Sequence, residues 1–126
     1  MRILVIEHGK KPEPREIDGS LKSMQEIVGG TIEAIYPWDD SAALICNDEG
    51  KLLGLPLNRT LADEDGHIWD VVAGAFFLCG IPADSDSFGS LSCEQFQKYQ
   101  KLFESPETIL NLNGQLVVIR EACCDV

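Results

Sequence analysis

Positive charge is scarce in this chain. Ten lysines and arginines stand against 21 aspartates and glutamates, a formal charge of −11 over 126 residues. Such a field repels phosphate backbones, so direct nucleic-acid binding through a basic face is not expected. Long apolar runs are scarce as well. Met1 to Glu7 is too short and too soon charged for a secretory leader or a spanning helix, so a cytoplasmic protein with no membrane contact is expected. Histidine is limited to His8 and His67. The five cysteines, Cys46, Cys79, Cys93, Cys123 and Cys124, form no Cys-x-x-Cys pair, so no metal-ligand spacing is recognisable. In a reducing compartment they read as free thiols. A nucleophile elbow and a phosphate-cradling glycine loop are both missing. The expectation is a protein that is not an enzyme, with no catalytic residue, metal or cofactor.

What is present fits one domain spanning 1–126, with enough apolar residues (44%) to bury a core without staples. Arg2 to Glu7 reads as a buried strand. Arg15-Glu16-Ile17 can return beside it after the proline turn at 10–14. Leu21, Met24, Ile27 and Val28 mark one face of a helix over about 20–28, with N-cap chemistry offered by Asp18-Gly19-Ser20 and a stop at Gly29-Gly30. Thr31 to Tyr36 alternates as a strand with Ile32, Ala34 and Tyr36 on one face, and Ala42 to Cys46 is a buried strand. Asn47-Asp48-Glu49-Gly50 has turn composition. The apolar run to Leu57, broken by Gly54 and Pro56, reads as an edge strand or a packed loop, and Arg59 to Gly66 as a polar connection.

Ile68 to Leu78 is either two short strands or one bent strand, with Gly74 at the break. Ser92 and Gln95 form a capping box, Leu91 staples onto Phe96, and Phe96, Tyr99, Leu102 and Phe103 form the buried face of a second helix. Asn113-Gly114 then turns into a last strand, 116–119. Strands and helices do not alternate as βαβ units. The fold class is therefore α+β: a mostly antiparallel sheet of about six or seven strands with two main helices.

Four groups of residues invite functional readings. Asp63-Glu64-Asp65-Gly66 has the look of a calcium loop, but Leu61 stands where an oxygen ligand is needed and no helices flank it. Ten acids between Asp39 and Asp86, with Lys51 and Arg59 among them as countercharges, suggest either turn chemistry or imitation of DNA on one surface. Asn47, Asn58 and Arg59 bracket the central apolar run. Arg59 could fork onto a phosphate or carboxylate, and Asn58 could read a base or sugar edge. Tyr36, Trp38, Trp69 and Phe77 are core residues or a stacking wall.

The motifs Val28-Gly29-Gly30-Thr31-Ile32-Glu33, Cys46 through Asn58, and Asp70-Val71-Val72-Ala73-Gly74 with Gly80 beyond closely resemble domain of unknown function number 3846. The resemblance covers about 2–80, with a helix and strand over 91–120 completing the domain. It implies a setting in bacteria, their phages and mobile elements, hence a bacterial host cell, and it carries over Asn47, Glu49, Gly50, Lys51, Gly54, Pro56, Asn58 and Gly74. The leading expectation is a non-enzymatic binding protein of a mobile element, with a counter-defence role and its oligomeric state left open. Its ligand is a small anion such as a nucleotide, held by Asn47, Glu49, Lys51, Asn58, Arg59 and Gly74. The alternative is an acidic inhibitor or DNA mimic acting on a basic host nuclease or restriction enzyme.

Overall fold

The computed structural model describes residues 1–120. Its centre is a five-stranded antiparallel sheet. In chain order the first elements are β1 (Arg2–Ile6), β2 (Glu13–Glu16), α1 (Leu21–Val28), β3 (Ile32–Ile35) and β4 (Ala42–Asn47). They are followed by β5 (Leu57–Ala62), β6 (Ile68–Ala73), β7 (Phe76–Gly80), α2 (Cys93–Leu102), β8 (Glu107–Leu112) and β9 (Gln115–Arg120). The main sheet runs β2-β1-β7-β4-β3, while β5–β6 and β8–β9 are separate two-stranded ribbons. The class is α+β, as expected. The sheet is divided, though: nine strands in three sheets among the described residues replace the single sheet anticipated.

Period-two alternation sends the sheet's side chains to two cores. On one face Ile3, Val5, Ala43, Ile45, Phe77 and Cys79 pack with Met24 and Val28 of α1. On the other, Leu4, Ile6, Leu44, Cys46, Phe76 and Leu78 pack with Leu61 and Val72 of the β5–β6 ribbon and with Phe96, Tyr99 and Phe103 around α2. Covered on both sides, β4 and β7 are buried along their whole length. That is why their sequences read as continuous apolar runs.

Both helices start and stop where their caps dictate. Ser20 accepts from the N–H of Ser23, and Gly29 ends α1 in the left-handed region. Ser92 and Gln95 close a full capping box on α2. Asp40 holds α2 from outside, accepting from the Tyr99 hydroxyl and from Gln95 Nε2 (3.2 Å). Leu102 departs from the expected buried face: it is 56% exposed. It lies in the last turn, where Phe103 takes the inward position instead. Tyr36, expected in line with Ile32 and Ala34, follows the end of β3 and is exposed. Cys123 and Cys124 lie outside the described residues. None of the described helices is long and apolar enough to cross a membrane.

The segment expected to be a polar connection contains a strand, β5, and its polarity is interior. Asn58, Arg59 and Thr60 are all buried. Of the two forms expected for 68–78, two short strands is the one found, and β8 is a strand that was not anticipated. Gly74, at φ 81°, lets the chain leave the ribbon at β6 and join the main sheet as β7, so the run 68–78 is two strands in two sheets. Asn113 (φ 53°) and Gly114 (φ 86°) make a two-residue turn that pairs the expected last strand with β8.

Candidate functional site

The Asn47–Arg59 segment divides into an inner and an outer part. Asn47 ends β4 with its side chain buried. Its Nδ2 donates to the Val28 carbonyl (3.1 Å), and its Oδ1 accepts from the Glu49 N–H (2.8 Å). It thereby ties the last turn of α1 to the turn after β4. Gly50 sits so close to β6 that a Cβ there would come within 2.8 Å of the Ala73 carbonyl oxygen. A Cβ on Gly74 would meet Leu55 at the same distance. Gly50 and Gly74 are therefore packing positions, whereas Gly54 has open space around it and is set apart by its left-handed backbone (φ 70°).

Asn58 and Arg59 go further inward, and both are fully buried. Asn58 Nδ2 donates to the carbonyls of Ile6 (2.9 Å) and Gly74 (3.0 Å), joining β5 to β1 and to the β6–β7 break. Arg59 Nη2 donates to the carbonyls of Lys10 (2.7 Å) and Phe103 (3.2 Å). Its Nη1 donates to Asn58 Oδ1 (2.8 Å). The Phe103 carbonyl lies at the C-terminus of α2, where the helix dipole favours a cation. Both residues were expected to bind a ligand. Both side chains are fully buried, and their donors serve the backbone carbonyls of Ile6, Gly74, Lys10 and Phe103 and the Asn58 side-chain oxygen.

The outer part lines a cleft of about 220 Å³ between the edge of the main sheet and the ribbon. Glu33, Ile35, Cys46 and Asn47 through Leu52 form one side, and Asp70 through Ala73 the other. Of the expected site residues, Asn47, Glu49 and Lys51 meet here. Asn58, Arg59 and Gly74 do not. Glu33 and Asp70 were not anticipated, because they arrive from β3 and β6. Their sequence signal is a charge within each strand pattern, and it became meaningful only once the strands were placed. Glu33 pairs directly across from Cys46, which puts both side chains on the same face of the sheet.

The cleft is acidic. Its cation, Lys51, is bound to Asp70, with Nζ 2.6 Å from Oδ1. Glu33 and Asp48 lie within hydrogen-bond reach of one another. The Glu33 carboxyl is raised above its ordinary value first by that contact, then by desolvation and by the charges of Asp48 and Asp70. Burial, followed by the charges of Glu33, Asp70 and Asp48, pushes the Cys46 thiol up to about 11. Cys46 is therefore held as a thiol rather than as a nucleophilic thiolate.

Through Lys51, Asp70 and Val71 the cleft continues into an apolar groove of about 390 Å³ lined by Leu57, Ile68, Trp69 and Leu116. Of the four aromatics considered for stacking, only Trp69 faces this region. Trp38 packs against Tyr99 (ring centroids 4.5 Å apart) and Phe103, Phe77 is buried in the core, and Tyr36 is exposed at the end of β3. The remaining acids are spread over several connections. Asp63 closes the β5–β6 turn, its Oδ1 accepting from the N–H groups of Asp65 (3.0 Å) and His67 (2.8 Å). This is turn chemistry of the usual Asx kind.

No curated protein and no solved structure matches the chain. A family match does exist. It extends past the anticipated 2–80 to include α2, and leaves out the β8–β9 ribbon. Residues 1–104 match the family described as a domain of unknown function (DUF3846), and the chain belongs to that family.

Proposed function

We propose that this chain is a non-enzymatic binding protein of a phage or mobile element. Its acidic cleft receives a lysine or arginine side chain from a basic protein, such as a host nuclease or restriction enzyme. The observation that carries the reading is the charge of the cleft. Glu33, Asp48, Glu49 and Asp70 surround it, and Lys51 is already engaged by Asp70. Two carboxyls held together repel each other when ionised, as the raised Glu33 indicates. An incoming guanidinium relieves that repulsion and can bridge both acids with its fork of N–H donors.

The neighbouring groove supports the same partner. A cation beside the exposed Trp69 ring gains a favourable electrostatic contact with its face. Apolar residues flanking that cation would fill the space between Leu57, Ile68 and Leu116. Complementary charge also speeds encounter with a basic protein and makes it salt-sensitive. The anionic-ligand reading has less support, since Arg59, its main cation, is inside the fold. The thiol held at Cys46 accords with a binding role rather than a catalytic one.

Calorimetry with a short Arg/Trp peptide and with a nucleotide panel tests the proposal. Peptide binding that weakens with salt and is lost in Glu33→Gln/Asp70→Asn supports it. Nucleotide binding with no peptide binding overturns it. A pull-down from host lysate at low and high salt then identifies the partner.

A further inference from the structure

We propose that the β8–β9 ribbon is a self-association arm, two copies of the chain pairing antiparallel through the outer edge of β9. The hydrogen-bond phase of this hairpin follows from its two-residue turn. Leu112 and Gln115 flank the turn as a bonded pair, so Val117 and Ile119 also bond back to β8. Leu116, Val118 and Arg120 therefore direct their N–H and C=O groups outward. Among the described residues no strand pairs with that edge.

The two outer edges of the main sheet carry the usual protections. β2 has Pro14 between Glu13 and Glu16, and β3 is four residues long and carries Glu33. Residues 115–119 of β9 contain neither a proline nor a charge; the strand's one charge, Arg120, stands at its end beside Glu107. Its apolar side chains are exposed: Leu116 by 46%, Val117 by 37% and Ile119 by 53%, and Leu110 and Leu112 of β8 are exposed beside them. A two-stranded ribbon is marginal unless something extends or covers it.

Charge selects a second copy as the occupant. In a chain of formal charge −11, residues 108–119 contain no charged residue. Two copies therefore meet with least repulsion here. The strand is also self-complementary about a two-fold axis. Centred on Val117, the pairing sets Leu116 against Val118 of the second copy and Gln115 against Ile119 of the second copy. No acid then faces an acid. The ribbon lies beyond residue 104, where the family match ends.

Sedimentation velocity and light scattering on the full chain, from micromolar to near-millimolar concentration, test this. The expected mass rises from 13.9 kDa toward twice that value. Added salt should strengthen the dimer by screening the net charge, the opposite of its effect on a basic partner. Val118→Pro removes an outward N–H that the hairpin does not use. Val117→Glu places carboxylates at the axis and keeps every backbone donor. Each should weaken dimerisation about tenfold or more, with the circular dichroism and melting of the monomer retained. A chain that stays at 13.9 kDa throughout, or a dimer indifferent to Val117→Glu, overturns the proposal.

Discussion

Replacing Arg59 by alanine should unfold more of this protein than removing any surface cation. The guanidinium is fully buried, and it donates to the carbonyls of Lys10 and Phe103 and to Asn58 Oδ1. Three elements therefore meet on one side chain: the β1–β2 connection, the end of α2, and β5. Removing it leaves the Phe103 carbonyl and Asn58 Oδ1 buried, at about 1–3 kcal/mol for each one left unsatisfied, while the half-buried Lys10 carbonyl can turn to water, and it opens a cavity as well. Partial relaxation and water entry reduce the sum, and the net loss is set at about 3–5 kcal/mol, as for a broken buried charge network. With a urea m-value of about 1–3 kcal/mol/M, the midpoint should fall by about 2 M with the slope unchanged. Arg59→Lys should recover only part of this, because one ammonium cannot reproduce the planar fork. Arg15→Ala, which loses exposed contacts to Glu7 and Glu13, supplies the control at about 0–1 kcal/mol. Urea unfolding followed by circular dichroism measures all three. If Arg59→Ala loses no more stability than Arg15→Ala, the structural assignment of Arg59 is wrong.

The remaining predictions concern glycine, protons and thiols. Gly74→Ala should cost about 1–2 kcal/mol from its left-handed backbone alone, and more from the clash with Leu55, read as a lowered urea midpoint. The Asp40 carboxyl is held below its ordinary value of 3.8, first by the Tyr99 hydroxyl. Its contribution to stability is therefore present above that pH and is lost as pH falls through the folded value; Tyr99→Phe should flatten that acid limb of the unfolding profile. Glu33 has the opposite sign. Its raised carboxyl keeps a proton that the unfolded chain releases near 4.5, so stability falls as pH rises from there through the folded value, and Glu33→Gln should remove that slope. In timed alkylation read by peptide mass spectrometry, exposed Cys93 should label before Cys46 and Cys79, whose thiols burial pushes up to about 11 and about 12. Equal rates would contradict their packing.

The sequence made visible those parts of the fold whose signals are local. Ser20 and Gly29 bound α1, and Ser92 with Gln95 bounds α2, because a cap is decided by residues within one turn of it. The two-sided burial of β4 and β7 was equally legible as uninterrupted apolar runs. β5 was not. Its centre, Asn58-Arg59-Thr60, carries the composition of a surface loop, and partners 16 to 52 residues away explain its burial. A pattern rule scores side chains by hydropathy and has no means of counting distant carbonyls. Thr60 shows the same limit: its N–H (3.0 Å) and hydroxyl (2.7 Å) both donate to Glu107 Oε1, an acid that reads as exposed in sequence and is buried in the fold. The cleft was half legible. Asn47, Glu49 and Lys51 belong to one continuous motif, whereas Glu33 and Asp70 reach it from strands on opposite sides.

That division bears on what the family motif records. Asn47, Gly50, Asn58 and Gly74 are held by tight backbone contacts, so their chemistry is that of a scaffold which fixes one turn against two strands. A scaffold of this kind constrains the path of the chain but leaves its outward side chains free to vary. Asp48, Glu49 and Lys51 are those outward side chains, and Glu33 and Asp70 supply the rest of the rim. On the proposed reading, recognition would be written in these rim charges rather than in the motif's asparagines and glycines. A substitution such as Asp48→Lys should reverse the local charge and change the partner while leaving the urea midpoint within about 0.5 kcal/mol of the parent, as for most surface changes. Asn47→Ala should do the reverse. It unfastens the carbonyl of Val28 and the N–H of Glu49, so stability falls by about 1–3 kcal/mol, and binding weakens only as the turn loses its shape. Measuring both quantities on both variants separates the frame from the surface it carries.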